Sequence, residues 1–304
     1  MAYKRNDNSL LCDKDFKFVC DFVYQRAGIV LADNKREMVY RRFTRIMRER
    51  KLNSFHEYCK LLKDNPQQEE NYFINAITTN LTSFFREQHH FDYLKEHEIP
   101  KLLKTNEHNK RIRIWSCASS TGEEPYSLAM TIIEAMQAQL SSWDVKILAT
   151  DIDSNVLATC SAGIYEAKKL GDMEGQYKRK YFHKGASEHN QNQYKVDKKL
   201  AQLLTFKKLN LLHNWPMKGP FDVIFCRNVI IYFDKKTQHE LFERYYQMLK
   251  PGGLLMLGHS ENLGDYQQFF ENVGRTIFRK PEFTNSQLND FADDIIVKNT
   301  AGSL

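Results

Sequence analysis

The chain contains no apolar run approaching the roughly 18 residues that a membrane-crossing helix needs. Its opening stretch, MAYKRNDNSLLCDKDF, lacks the apolar core and small-residue cleavage site of a signal peptide. Both absences predict a cytoplasmic protein with no direct membrane insertion. Cysteine is sparse and scattered, at positions 12, 20, 59, 117, 160 and 226, with no Cys-x-x-Cys pair and no clustered histidine ligands that would make a zinc site with them. That distribution predicts reduced thiols and no metal site. Glycine is nowhere arranged as Gly-x-Gly-x-x-Gly, and the small-residue loop around Gly122 is followed by acids rather than a phosphate-binding lysine. A dinucleotide or nucleoside triphosphate is therefore disfavoured. What is present is 304 residues, 42% hydrophobic and 27% charged, enough for one large globular domain and a small one.

The net charge of +6 is unevenly distributed. Residues 1–63 hold fifteen cations against eight anions, an excess of seven, so the rest of the chain is near neutral. This basic fifth reads as helical. Phe16, Val19, Cys20 and Val23 recur at helical spacing, and AGIVL after them reads as a helix end and extended link. In KREMVYRRFTRIMRERK, Val39, Phe43 and Ile46 form one face and Arg41, Arg45 and Arg48 another. Ser54 with Glu57 forms a capping box ahead of a third helix. A small all-α domain over 1–75 is predicted, joined by a linker at 76–95 to a domain spanning 96–284, with a tail at 285–304.

From Arg111 the period changes. RIRIWSC, VKILATDID, LLTFKKLNL, FDVIFCRN and GGLLMLGHS are β-rich runs separated by helical stretches such as PYSLAMTIIEAMQAQL. That alternation predicts an α/β domain with a mainly parallel sheet. The polar interval at about 164–200 reads as an insertion.

After the first strand, SCASSTGEEPYSLAM sets small residues and Gly122 before a helix with Pro125 near its start, a turn that lets a ligand approach the backbone. The next strand ends in ATDID, placing Asp151 where a carboxylate can accept hydrogen bonds from both hydroxyls of a ribose. Asp153 or Ser154 is the more natural cap for the following helix. A ribose ligand beside acids rather than phosphate-binding cations suggests a nucleoside with a positive charge. S-adenosylmethionine fits that description.

NLTSFFRE, WSCASSTGEEPYSLAM, ATDID, FDVIFCRNVIIYFD and LKPGGLLMLGHSENL, in this order and spacing, resemble the signature blocks of the chemotaxis receptor methyltransferases, the CheR family. The resemblance implies a Rossmann-like seven-stranded methyltransferase domain preceded by the small helical domain, with TIFRKPEF as a late reversed strand beside GLLMLGHS. It implies methyl transfer from S-adenosylmethionine to glutamates of methyl-accepting chemotaxis receptors, with S-adenosylhomocysteine as product. It places Asn80, Thr82 and Arg86 at the methionine end of the cofactor, with Phe84 and Phe85 anchoring their segment. Glu123 or Glu124 would meet the cofactor ammonium, Asn210 and Leu211 the adenine, and Arg227 with Asn228 the pocket floor. Tyr232 and Arg86 would flank the reacting centre. The stripe of Arg41, Arg42, Arg45 and Arg48 would face the acidic helical bundle of the receptor, against the plainer reading of a solvated basic face. Nucleic acid is not an expected partner, and a monomer is expected. Gly185 in YFHKGASEHNQNQYKV is followed by polar residues, which leaves open whether the insertion grips a receptor peptide.

The chemistry agrees with the absence of a catalytic triad. A glutamate with an ordinary pKa of about 4.3 is ionised at neutral pH, so attack on a sulfonium methyl needs no general base. His89, His90 and His259 are accordingly expected to be structural. The alternatives are a methyltransferase of similar architecture with another acceptor, or a non-catalytic regulator that binds the same cofactor.

Overall fold

A computed structural model describes residues 11–171, 173–185 and 191–282, so the tail and residues 186–190 of the insertion lie outside the described residues. The basic N-terminal part folds as four helices, α1 (Asp13–Ala27), α2 (Arg36–Glu49), α3 (Phe55–Asp64) and α4 (Pro66–Ile77). Their apolar faces meet in a core containing Val19, Val39, Phe43, Tyr58, Leu62 and Phe73. The Phe73 ring lies 4.9 Å from that of Phe22 and 5.0 Å from that of Phe43. The fourth helix is a surprise of the sequence. PQQEENYFINAI begins with polar residues that hide its stripe of Phe73, Ile74 and Ile77, although Pro66 at its first turn is a start signal. At α3 the Ser54 hydroxyl accepts from Glu57 N at 3.2 Å, while the Glu57 carboxylate reaches back to Asn53 N at 2.8 Å, one residue beyond the expected capping box.

Short helices α5 (His89–Tyr93) and α6 (Ile99–Thr105) lead into the sheet domain. Its strands in the main sheet are β1 (Arg111–Ser116), β2 (Asp144–Asp151), β6 (Leu204–Lys208), β7 (Phe221–Cys226), β8 (Leu249–Leu257), β9 (Glu271–Gly274) and β10 (Ile277–Arg279). They lie in the order β6-β2-β1-β7-β8-β10-β9. All pairs from β6 to β8 are parallel, and β10 runs antiparallel to both its neighbours. The reversed late strand is thus where TIFRKPEF was expected, but it is shorter and makes its hairpin with β9, which the sequence did not signal. Every residue of β7 is buried, as expected for a strand covered on both faces. Helices α7 (Glu123–Met136), α8 (Ser154–Ala162) and α11 (Lys235–Met248) are the longer connections.

Between α8 and β6 the chain makes a second, antiparallel sheet of β3 (Ile164–Glu166), β5 (Gln193–Val196) and β4 (Phe182–Lys184), with α9 (Gly175–Tyr181) and α10 (Lys198–Ala201) beside it. Because the main chain builds outwards from β1 in one direction and from β7 in the other, a crevice opens at the carboxyl ends of these strands.

Candidate active site

The crevice contains a cavity of about 370 Å³, within the range of small-ligand pockets. One wall comes from the helical domain through Ala27, Ile29–Leu31, Lys35, Met38 and Arg42. The chain from Ile77 to Thr82 and Arg86 forms another, and the strand ends supply the rest. The domains are fastened around it. Val30 N donates to Tyr232 O at 2.9 Å, Asn210 Nδ2 to Arg26 O at 2.6 Å, and Tyr24 Oη to Asp234 Oδ2 at 2.6 Å.

After β1 the chain turns at Gly122, whose φ of 102° is left-handed; a Cβ there would stand 2.6 Å from the Tyr165 hydroxyl. Only glycine meets both demands. Helix α7 then starts with two glutamates that point differently. Glu124 lines the cavity, accepting from Ser116 Oγ at 2.7 Å and from Arg227 Nη1 at 2.9 Å. Its carboxyl is pushed up by burial, against the pull of Arg227 and Ser116. Glu123 is fully buried outside the cavity lining, holding Thr121 Oγ1 at 2.5 Å and Lys169 Nζ at 3.1 Å. Of the two, only Glu124 lines the cavity, and Glu123 fastens the loop to the segment after β3.

Asp151 ends β2 with its carboxylate in the cavity wall, Oδ2 accepting from Ser120 N at 2.8 Å and Oδ1 from Asp153 N at 2.9 Å. Burial outweighs these bonds and raises its pKa to about 6. Asp153 caps α8 as expected, accepting from Asn155 N at 2.8 Å. Its other oxygen takes Asn80 Nδ2 at 2.8 Å and Thr78 Oγ1 at 2.9 Å. Asn80 therefore lines the cavity while its amide fixes the linker to the start of α8; Thr82 lines the cavity as well.

Phe84 packs edge-on against Tyr165 and Phe182 of the small sheet, and Phe85 packs edge-on against Phe91 and at a tilt against Tyr177. Phe85 and Glu87 have left-handed φ values of 53° and 58°. Such backbone is costly for side chains of this kind, and here it accompanies the turn that puts Arg86 in the cavity lining, between the half-buried Phe85 and Glu87. Arg86 Nη1 donates to Leu81 O at 2.9 Å.

Arg227, buried after β7, contacts Glu124, Glu87 at 3.2 Å and the carbonyl of Arg86, while its Nε is buried without a partner among the described residues. Glu87 is a junction that sequence reasoning missed. It meets His259 Nδ1 at 2.9 Å, His259 N at 3.1 Å and Asn228 Nδ2 at 3.3 Å. Although burial pushes its carboxyl up, these bonds and the Arg227 charge hold it at about 2. Glu261, also missed, accepts from the amides of Asn228, Val229, Ile230 and Gly258 and sets the left-handed turn at Asn228. Neither carboxylate had a local signal, because its partners come from distant loops. His90 is buried, and burial lowers its pKa to about 3, leaving it neutral.

Asn210 Oδ1 accepts from Leu212 N at 3.0 Å, and Leu211 beside it is buried; both line the cavity with Asn228 and Tyr232. The arginine stripe is not one surface. Arg41 and Arg45 are exposed and paired with Glu37 and Glu49, and Arg48 is exposed too. Arg42 instead turns inward, donating to Thr78 O at 2.7 Å and Thr79 Oγ1 at 3.0 Å, where the orphan carbonyls ending α4 need donors.

The family described as CheR methyltransferase, all-alpha domain, matches residues 14–78, and CheR methyltransferase, SAM binding domain, matches residues 80–279. The Chemotaxis protein methyltransferase of Salmonella typhimurium is 44% identical over 270 residues, covering 88% of this chain and 90% of that protein. The Chemotaxis protein methyltransferase of Escherichia coli K12 is 43% identical over 270 residues, covering 88% and 91%. The Probable chemotaxis protein methyltransferase of Rhizobium etli is 40% identical over 259 residues, covering 84% and 96%.

Proposed function

Since the chain belongs to the CheR methyltransferase family, we infer that it is an S-adenosylmethionine-dependent protein methyltransferase acting on chemotaxis receptors. The acceptors are glutamate side chains, which become methyl esters, and S-adenosylhomocysteine is the second product. The observation that carries this reading is the pair of acids, Asp151 buried and Glu124 nearly so, in one cavity beside an arginine whose Nε lacks a partner among the described residues. A buried carboxylate raised to about 6 is stabilised by new donors, and a ribose diol supplies two. Glu124 suits an ammonium group.

The bound cofactor supplies an electrophilic sulfonium methyl. Asp151 holds the ribose, Asn210 and Leu211 bound the adenine, and Glu124 holds the amino acid end with Asn80, Thr82 and Arg86. Arg227 positions Glu124 and Glu87, and Asn228 closes the floor. No residue has to accept a proton, because the attacking carboxylate arrives ionised. Arg86 and Tyr232 orient its oxygen, and the enclosing walls strip water from it, so positioning and desolvation set the rate. Among the described residues no helix is long and apolar enough to cross a membrane. In this reading the protein works as a cytoplasmic monomer beside the receptor's helical bundle, with Arg41, Arg45 and Arg48 steering the encounter.

The test is to incubate the protein with methyl-labelled cofactor and receptor-rich membranes. Label released by mild alkali is the expected result; alkali-stable label would point to another acceptor. Charge reversal at Arg45 and Arg48 should lower receptor methylation by about tenfold at low salt, less at high salt, because exposed charges act mainly on encounter and are screened. Affinity for S-adenosylhomocysteine should stay unchanged. Equal loss of both would contradict a separate receptor-facing surface.

A further inference from the structure

Three large aliphatic side chains stand in solvent on the cavity wall or next to it. Val30 is 50% exposed, Leu81 78% and Ile231 51%. They come from different elements, the link after α1, the segment after α4 and the turn after β7. Val30 N bonds Tyr232 O, which sets Val30 beside the turn that contains Ile231, and Val30 and Leu81 both belong to the cavity wall. Single exposed aliphatic residues are ordinary. Two on one cavity wall and a third beside Tyr232 of the same lining make a group of exposed aliphatic side chains next to the cavity.

Three cations of this wall, Lys35, Arg42 and Arg86, have no carboxylate partner among the described residues, while the acids of the same lining, Asp151 and Glu124, are buried or nearly so. Lys35 is exposed on the same wall and has no carboxylate partner among the described residues. Arg86 and Arg42 bond only carbonyl and hydroxyl oxygens. This differs from Arg41 and Arg45, whose charges are answered within their own helix.

Resting on the glutamate-methylation reading, we propose that Val30, Leu81 and Ile231 with Lys35 form a docking rim for an acidic amphipathic receptor helix, which selects glutamates flanked by apolar residues one helical turn away. On a helix, positions three and four residues either side of the target share its face. Apolar side chains there cover the rim while the target carboxylate enters the cavity, and a neighbouring acid meets Lys35. The rim thus reads the surroundings of the glutamate.

The experiment uses the full chain and a soluble cytoplasmic fragment of a receptor, without lipid, scored by alkali-labile methyl. Ile231→Ser should raise KM about three- to tenfold, the loss expected for uncovering part of one aliphatic side chain, with kcat within about twofold and S-adenosylhomocysteine affinity unchanged. Leu81→Ser should raise KM as well, and Ile231→Leu should restore it. An unchanged KM in both serine variants would overturn the rim, as would a matching loss of S-adenosylhomocysteine affinity in Ile231→Ser. A defect that appears only with membranes, together with lost binding to anionic vesicles, would assign the patch to a lipid surface instead. If the wild-type chain places no alkali-labile methyl on the fragment, the glutamate reading itself falls and the rim with it. A methylating wild type with insensitive variants removes the rim alone.

Discussion

Asp151→Ala should abolish measurable binding of S-adenosylhomocysteine in a calorimeter. Each charge-assisted hydrogen bond contributes about 1.5–3 kcal/mol, so losing two ribose contacts costs roughly a hundred- to ten-thousandfold in affinity. The asparagine variant is not silent either. Both oxygens of Asp151 already accept a backbone amide, from Ser120 and Asp153. Asparagine accepts with only one, so its amide nitrogen would face an N–H. The pH dependence has a defined sign. Burial raises this carboxyl to about 6 in the free protein, and hydroxyl donors favour its ionised form. Affinity is therefore fully developed above about pH 7 and falls as pH drops through about 6, approaching tenfold per unit. Calorimetry from about pH 5 to about pH 8 should show that inflection in the wild type and lose it in the asparagine variant. An unchanged affinity in Asp151→Ala would remove the ribose assignment.

Arg227→Met should cost about 3–5 kcal/mol of stability, because it leaves two carboxylates in the interior without their cation. The guanidinium spans Glu124 and Glu87 together and also bonds the Arg86 carbonyl, a reach that a lysine lacks. Urea denaturation measures the loss. The charge argument makes a second demand: adding Glu124→Gln to Arg227→Met should recover part of the stability, since the penalty lies in the abandoned anion. If the double variant is as unstable as the sum of the singles, packing of the guanidinium near Phe91 and Phe225 is the better explanation. Glu87 adds an acid-side signature. Its carboxyl is depressed to about 2, so its stabilising contribution is present above the ordinary carboxylate range and is lost as pH falls towards 2.

Alternation of strand and helix, a helix cap at Asp153 or Ser154 and the position of Asp151 were legible because each rests on local spacing. The unread features all depend on rotation or distance. Glu123 and Glu124 are adjacent on α7, and about 100° of helical turn decides which one meets the cavity. Arg42 sits one residue from Arg41, and the end of α4 draws it inward. Glu87 and Glu261 are recognisable only once loops far apart in sequence have gathered around them. The hairpin of β9 and β10 is too short to leave a period in the sequence.

The wall that Ala27, Ile29–Leu31, Met38 and Arg42 contribute to the cavity makes it a joint product of the two segments. The sheet unit by itself would leave that flank of the cavity open to solvent, so cutting the chain after α4 should weaken ligand capture even where the sheet unit stays folded.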